Sequence, residues 1–166
     1  MNERGHIVNA VLLGAGIGFL LEPTLTVAAL QSIITVSVPV VLGALVPDMD
    51  TSFGTHRKTL HNFVVLGIFA VFPYFIGNLQ YVWLGVVTHY ALDLLGNVRG
   101  MAVFYPFSSE EYDIPVGVPV TSKWADVVTL LVTAFELAVV AGIIRIGYSG
   151  FLQGPGFARL VESILV

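Results

Sequence analysis

The sequence contains no cysteine, only two lysines, and charged residues at just 11% of its 166 positions. Each shortage excludes something. Without thiols there is no disulfide framework, no zinc–thiolate centre and no cysteine nucleophile, so any metal must be held by nitrogen and oxygen ligands. Two lysines and five arginines scattered along the chain make no basic stripe, and direct binding of nucleic acid is not expected. The charged fraction is less than half of the roughly 25% typical of a soluble domain. What fills the chain instead is apolar: 56% of residues are hydrophobic and the mean hydropathy is +0.88. The length allows one domain, and several apolar runs approach the roughly 17 to 25 residues that cross a bilayer. The fold class expected is therefore an all-α integral membrane protein, one membrane-embedded helical domain over residues 1–166.

Five membrane-level segments follow from the apolar runs: Ile7–Leu21, Leu25–Val46, His61–Gly77, Leu79–Leu95 and Trp124–Ile146. Arg4 ahead of the first run has the look of a secretory signal, but Glu3 dilutes the positive end, and the segment is read as a first helix, short for a full span. Glu22-Pro23 and Gly77-Asn78 are turn sequences that make antiparallel hairpins of helices one and two and of helices three and four. Pro39 and Pro73 predict kinks. Gly96 to Lys123, carrying Pro106, Pro115, Pro119 and the acidic Glu110, Glu111 and Asp113, is an ordered loop outside the hydrocarbon, because irregular backbone facing lipid would leave peptide groups unpaired. Beyond the breakers between Gly147 and Gly156, Phe157, Leu160, Val161, Ile164 and Leu165 form one stripe of a C-terminal amphipathic helix lying on a membrane or protein surface. No internal repeat is evident.

With five crossings the N-terminus, the Pro47–Leu60 loop and the Gly96–Lys123 loop share one side. That side receives Arg4, Arg57, Lys58, Arg99 and Lys123, and the positive-inside rule makes it cytoplasmic, placing the protein in the inner (cytoplasmic) membrane. The same drawing gathers all four histidines and three aspartates at one level: His6, Asp48, Asp50, His56, His61, and His89 with Asp93, four residues apart on one helical face. Singly, each has a plain reading, an interfacial histidine or a helix-ending Pro-Asp turn. Together, ionisable groups at membrane depth call for a shared partner, and a divalent cation, Zn2+ with Mn2+ or Fe2+ as alternatives, suits imidazole and carboxylate donors. Seven candidates exceed one site and fit two ions, or one ion with an outer layer of orienting groups. Two ions can activate water and hold the attacked and leaving oxygens of a phosphate ester. Arg57 then becomes a clamp for phosphate oxygens, with Arg99 as the second candidate, and Asp48 joins Arg57 as a group acting on the substrate. Glu136, midway along the last long segment, should face the bundle, and Gly14, Gly16 and Gly18 allow close helix packing.

The ordered motifs Gly43-Ala-Leu-Val-Pro-Asp48-Met-Asp50, His56-Arg57 with His61, Leu84-Gly-Val-Val-Thr-His89-Tyr-Ala-Leu-Asp93, and Tyr105-Pro-Phe resemble the YdjM family, membrane proteins classed as metal-dependent hydrolases. The resemblance runs from His6 to about Phe107. That family in turn is similar to zinc-dependent phospholipase C and P1 nuclease, and the likeness implies that His89 and Asp93 are ligands on one helix, joined by His6, Asp50, His56 and His61. The chain departs from the family's His-Arg-Gly-x-Thr-His-Ser pattern at Lys58, Leu60 and Asn62, changes that spare the metal residues and bear on substrate preference. The resulting expectation is a membrane-bound hydrolase of a lipid-borne phosphate ester, with membrane lipids as its surroundings and substrate source. A cation transporter, or a scaffold stapled by a structural metal, is the alternative; polar mid-membrane residues and inverted repeats would mark a transporter.

Overall fold

In a computed structural model that describes residues 3–114 and 116–146, the chain is a bundle of helices: α1 (Glu3–Leu21), α2 (Val27–Leu45), α3 (Phe63–Ala70), the single turn α4 (Phe72–Phe75), α5 (Val82–Gly96) and α6 (Ala125–Ile146). Among the described residues, strand-like pairing is confined to one bridge between Met101 and Tyr112. The segment proposed as a C-terminal amphipathic helix lies outside the described residues.

Helices α1 and α2 form the expected hairpin. Ala10, Leu13 and Ile17 bury against Val36, Val40 and Ala44, and the approach is close because Gly14 faces the Ser37 backbone and Gly18 that of Ile33. The next crossing is closer still. A Cβ on Gly43 would strike the Val82 carbonyl and one on Gly85 the Val40 carbonyl, so α2 and α5 touch backbone to backbone. Helix α6 closes the other side, packing Ala125 and Val132 on Leu92. Its outer face, with Leu130, Leu131, Phe135, Val139 and Ile143 exposed, is apolar throughout. Such a surface is a liability in water and the normal state in lipid.

Among the described residues, three helical stretches are long and apolar enough to cross a membrane: Glu3–Leu21, Val27–Ser52 and Ala125–Ile146. The first is thus fuller than its apolar run suggested, extended by a polar first turn in which Glu3 meets the positive end of the helix. The third and fourth expected segments are shorter than drawn. The side chain of Asn62 accepts a hydrogen bond from the Val65 amide and starts α3 past His61, while Pro73 opens a separate turn because it cannot supply the amide that would continue α3. Phe63–Phe75 and Val82–Gly96 are apolar helices below spanning length. Pro39, by contrast, is accommodated inside an unbroken α2.

The long loop is ordered, as expected, and its contacts hold it over the end of the bundle. Met101 and Tyr112 exchange two backbone bonds of 3.0 Å, the Ala102 amide donates to the Arg57 carbonyl at 2.9 Å, and the Phe63 amide donates to Val103 at 2.9 Å. These links tie the loop to the turn that carries the histidines.

Candidate metal centre

The first turn of α1, the end of α2 with its 3-10 extension Pro47–Ser52, the turn before α3 and the second half of α5 meet at one end of the bundle, bringing the seven candidate histidines and aspartates together. Six of them fall into two groups whose donor atoms lie close enough to share an ion, His6 with His89 and Asp93, and Asp48 with His56 and His61.

The first group is buried. The His6 and His89 rings stack at 3.7 Å and 8°, and His6 Nε2 lies 3.4 Å from Asp93 Oδ1. Neither nitrogen of His6 makes a hydrogen bond, although the ring is sealed from solvent, and a buried polar atom left so is costly unless something else engages it. The two groups also touch. His89 Nδ1 lies 2.7 Å from the Ala44 carbonyl, which can only accept, so Nδ1 carries the proton and Nε2 presents a lone pair. His61 Nδ1 lies 3.0 Å from Asp50 Oδ2, and the same logic leaves His61 Nε2 as a lone pair. These two Nε2 atoms are 3.2 Å apart. Two neutral acceptors face each other there, an arrangement that a shared cation resolves.

Around that point stand two carboxylate oxygens. Asp48 Oδ1 is 3.8 Å from His61 Nε2 and 3.6 Å from His89 Nε2; Asp93 Oδ2 is 3.7 Å and 3.8 Å from the same atoms. Donors of one ion bound at about 2.0–2.2 Å stand roughly 3.3–3.6 Å apart, so neighbouring donors here need only slight contraction to coordinate a divalent ion. The chemistry and spacing of the donors fit the metal that the sequence implies.

Other candidates take different places. Asp50, expected among the ligands, stands behind them: Oδ1 meets His56 Nδ1 at 3.0 Å, and Oδ2 meets His61 Nδ1 and the Leu60 amide. A carboxylate in that position fixes the tautomer and ring orientation of both imidazoles. Arg57, expected to face a substrate, is turned inward. Its guanidinium reaches Asp93 Oδ1 at 3.2 Å and also the carbonyls of Arg99 and Gly100, and its backbone sits at φ 69°, a conformation that L residues adopt at a cost. Arg99 is on the surface, 3.9 Å from Glu111. Asp48 and His56 line an open cleft of about 510 Å³ with Glu3, Leu45, Met49 and Thr51.

Three polar residues that sequence reasoning passed over hold this end together. Tyr90 donates its hydroxyl to the Leu60 carbonyl at 2.6 Å and accepts the Asn62 amide at 3.0 Å, pinning the His61 turn to α5. Asn9 and Thr88 form a buried bond of 2.8 Å one layer below the histidines. Asn9 could have been found from its spacing, three residues from His6 on an otherwise apolar helix.

Burial holds the His61 imidazole below its ordinary value of 6.5, against the opposing pull of Asp50. The unfolded chain therefore takes up more protons than the folded one as pH falls past 6.5, and folding stability contributed by the neutral ring is present above that value and lost below it. Thermal unfolding of the metal-free protein between pH 8 and 5.5 should show a falling midpoint, and His61→Asn should flatten that slope. An unchanged slope would mean that His61 is not held neutral.

Comparison with curated proteins and with solved structures gives no match. The family model of the YdjM inner membrane protein matches residues 1–155, which takes in every helix and every residue of the centre just described, and the chain belongs to the YdjM inner membrane protein family.

Proposed function

We propose that the protein is a metal-dependent hydrolase that cleaves a phosphate ester carried by a membrane lipid, with its site at the cytoplasmic face. The observation that carries the reading is the pair of opposed lone pairs on His61 and His89, flanked by Asp48 and Asp93. His6, His89 and Asp93 would hold one divalent ion and Asp48, His56 and His61 a second, with His61 and His89 side by side between them. Such ions supply Lewis acidity toward a phosphoryl oxygen and bring water into its nucleophilic form near neutral pH.

The chain's own residues do the rest. Asp50 holds the Nδ1 of both His56 and His61, and so keeps His61 in the tautomer that offers Nε2 inward. Asp48 and His56 border the open cleft, the route by which a headgroup reaches the donors, and the apolar rim of Leu45 and Met49 suits a substrate whose tail stays in lipid. Arg57 balances Asp93, which leaves surface Arg99 as the arginine available to a phosphate oxygen. The metal donors lie together at one end of the bundle, beside an open cleft, which favours a site that meets its substrate there.

The test is metal analysis of purified protein in nanodiscs, followed by phosphate release from a panel of lipid phosphates. Two equivalents of zinc with turnover of at least one lipid phosphate are expected. Full zinc occupancy with no release from any lipid ester would overturn the hydrolase reading in favour of a structural or transport metal. Cysteine labelling at Thr55 and Thr24 checks the orientation: Thr55 should react from the cytoplasm and Thr24 from the opposite side, and the reverse would move the site to the other face.

A further inference from the structure

Below the histidines, inside the apolar part of the bundle, four polar side chains from three helices form one hydrogen-bonded network. The Thr133 hydroxyl on α6 lies 2.8 Å from Asn9 Oδ1 on α1 and 2.8 Å from the Thr129 carbonyl one turn back, and its single proton is shared between the two acceptors. Asn9 Nδ2 donates to the Thr88 hydroxyl on α5 at 2.8 Å. That hydroxyl, having accepted, donates onward to the Glu136 carboxylate on α6, 2.7 and 2.8 Å from its two oxygens. Asn9, Thr88 and Thr133 are all nearly sealed from solvent, at 0%, 2% and 3% exposure. The bonds tie α1, α5 and α6 to one another one layer below the histidines.

Its position relative to the metal centre is specific. Asn9 is three residues after His6, on the same face of α1, and Thr88 directly precedes His89. The His6 ring is sealed from solvent, stacked on His89 at 3.7 Å and 3.4 Å from Asp93 Oδ1, contacts that require α1 to stand at one height against α5. A slide of α1 against α5 by one residue, about 1.5 Å, would break both the stack and the His6–Asp93 approach. Against such a slide stand the close glycine crossings of α1 on α2 and of α2 on α5, and the Asn9–Thr88 bond is a direct polar link between α1 and α5. Hydrogen bonds inside a membrane bundle resist it sharply, because a displaced donor finds no water.

We propose that Asn9, with Thr88 as its partner and Thr133 and Glu136 as the two ends of the chain, is the positioning device that sets the register of α1 against α5 and so assembles the His6–His89–Asp93 half of the centre. The ion-binding form of this inference rests on the metal reading above; the positional form does not. Asn9 touches no reacting atom, and its part is to place His6.

The experiment uses the full chain in nanodiscs with cobalt(II) as the probe ion and two readouts. Asn9→Val and Thr88→Val should each weaken one of the two cobalt ions by 10-fold or more, seen as loss of half the visible absorption at limiting cobalt, while the ion on Asp48, His56 and His61 is kept. Thr88→Ser, which restores the hydroxyl, should bind both ions as the parent does. Glu136→Gln, which still offers an acceptor to Thr88, should also retain them, and Glu136→Leu should not. Independently of any ion, diethylpyrocarbonate modification of His6, read by mass spectrometry, should rise several-fold in Asn9→Val and Thr88→Val and stay at the parent level in Thr88→Ser. If the parent takes up no cobalt but His6 becomes reactive in the two valine variants, the metal reading fails and the positioning role stands. Parent-like His6 reactivity in both valine variants overturns the proposal, as does equal loss of both cobalt ions, which would indicate general unfolding of the bundle.

Discussion

Asp93→Asn should remove the ion from the α5 half of the centre and lower phosphate-ester turnover by on the order of 10³-fold, the effect of losing several kcal/mol of charge stabilisation. The substitution keeps the shape of the side chain and changes only its charge and one donor atom. Asp93 has two faces to lose. Oδ2 lies 3.7 Å and 3.8 Å from the inward nitrogens of His61 and His89, while Oδ1 lies 3.4 Å from His6 and 3.2 Å from Arg57. An amide can offer its oxygen to one of these directions and must turn its NH2 group toward the other. Turned toward Arg57, the NH2 opposes another donor; turned inward, it opposes a cation. Zinc content by elemental analysis and phosphate release, measured on the same preparation, check this. Parent-level zinc and parent-level turnover together would remove Asp93 from the site.

The convergence of the donors was legible in the sequence because polarity is rare there. With charge at 11% of positions, each histidine or aspartate stands out at the end of an apolar run, and the alternation of runs and turns already dictates which ends meet. His89 and Asp93 needed only helical spacing. The division of labour between Asp48 and Asp50 was not legible. They are two residues apart on a 3-10 turn, so they point in different directions, and which one faces inward depends on where His56 and His61 come to rest. The extent of α3 and α5 was half legible: apolar content marked both, but the Asn62 cap and the break at Pro73 shortened the first below spanning length. Asn9 was legible from its spacing to His6, but its partners were not, because Thr88 in α5 and Thr133 in α6 carry no sign of a common partner until the helices are packed.

Arg57 is the residue whose place depends most on tertiary structure, and replacing it should separate two roles that a sequence cannot. A phosphate clamp predicts that Arg57→Ala lowers turnover and leaves folding untouched. The geometry predicts the opposite order of effects. The guanidinium is buried, at 4% exposure, and bridges Asp93 to the loop carbonyls of Arg99 and Gly100, while its own carbonyl receives the Ala102 amide at 2.9 Å. Removing it leaves a buried carboxylate without its counter-charge, a loss of about 3–5 kcal/mol for pairs of this kind. Alanine also inherits the left-handed backbone at φ 69°, so Arg57→Gly should be the more stable of the two by about 1 kcal/mol. Lysine keeps the charge but cannot reach a carboxylate and two carbonyls at once, and it should fall between the parent and alanine. On the metal reading a bound zinc ion would give Asp93 a second counter-charge, so the gap in thermal midpoint between Arg57→Ala and the parent should narrow when zinc is added. Thermal unfolding with and without saturating zinc, alongside phosphate release, measures each term. If Arg57→Ala unfolds at the parent temperature in both conditions while turnover collapses, the guanidinium leaves Asp93 to meet the substrate, and the clamp reading takes its place.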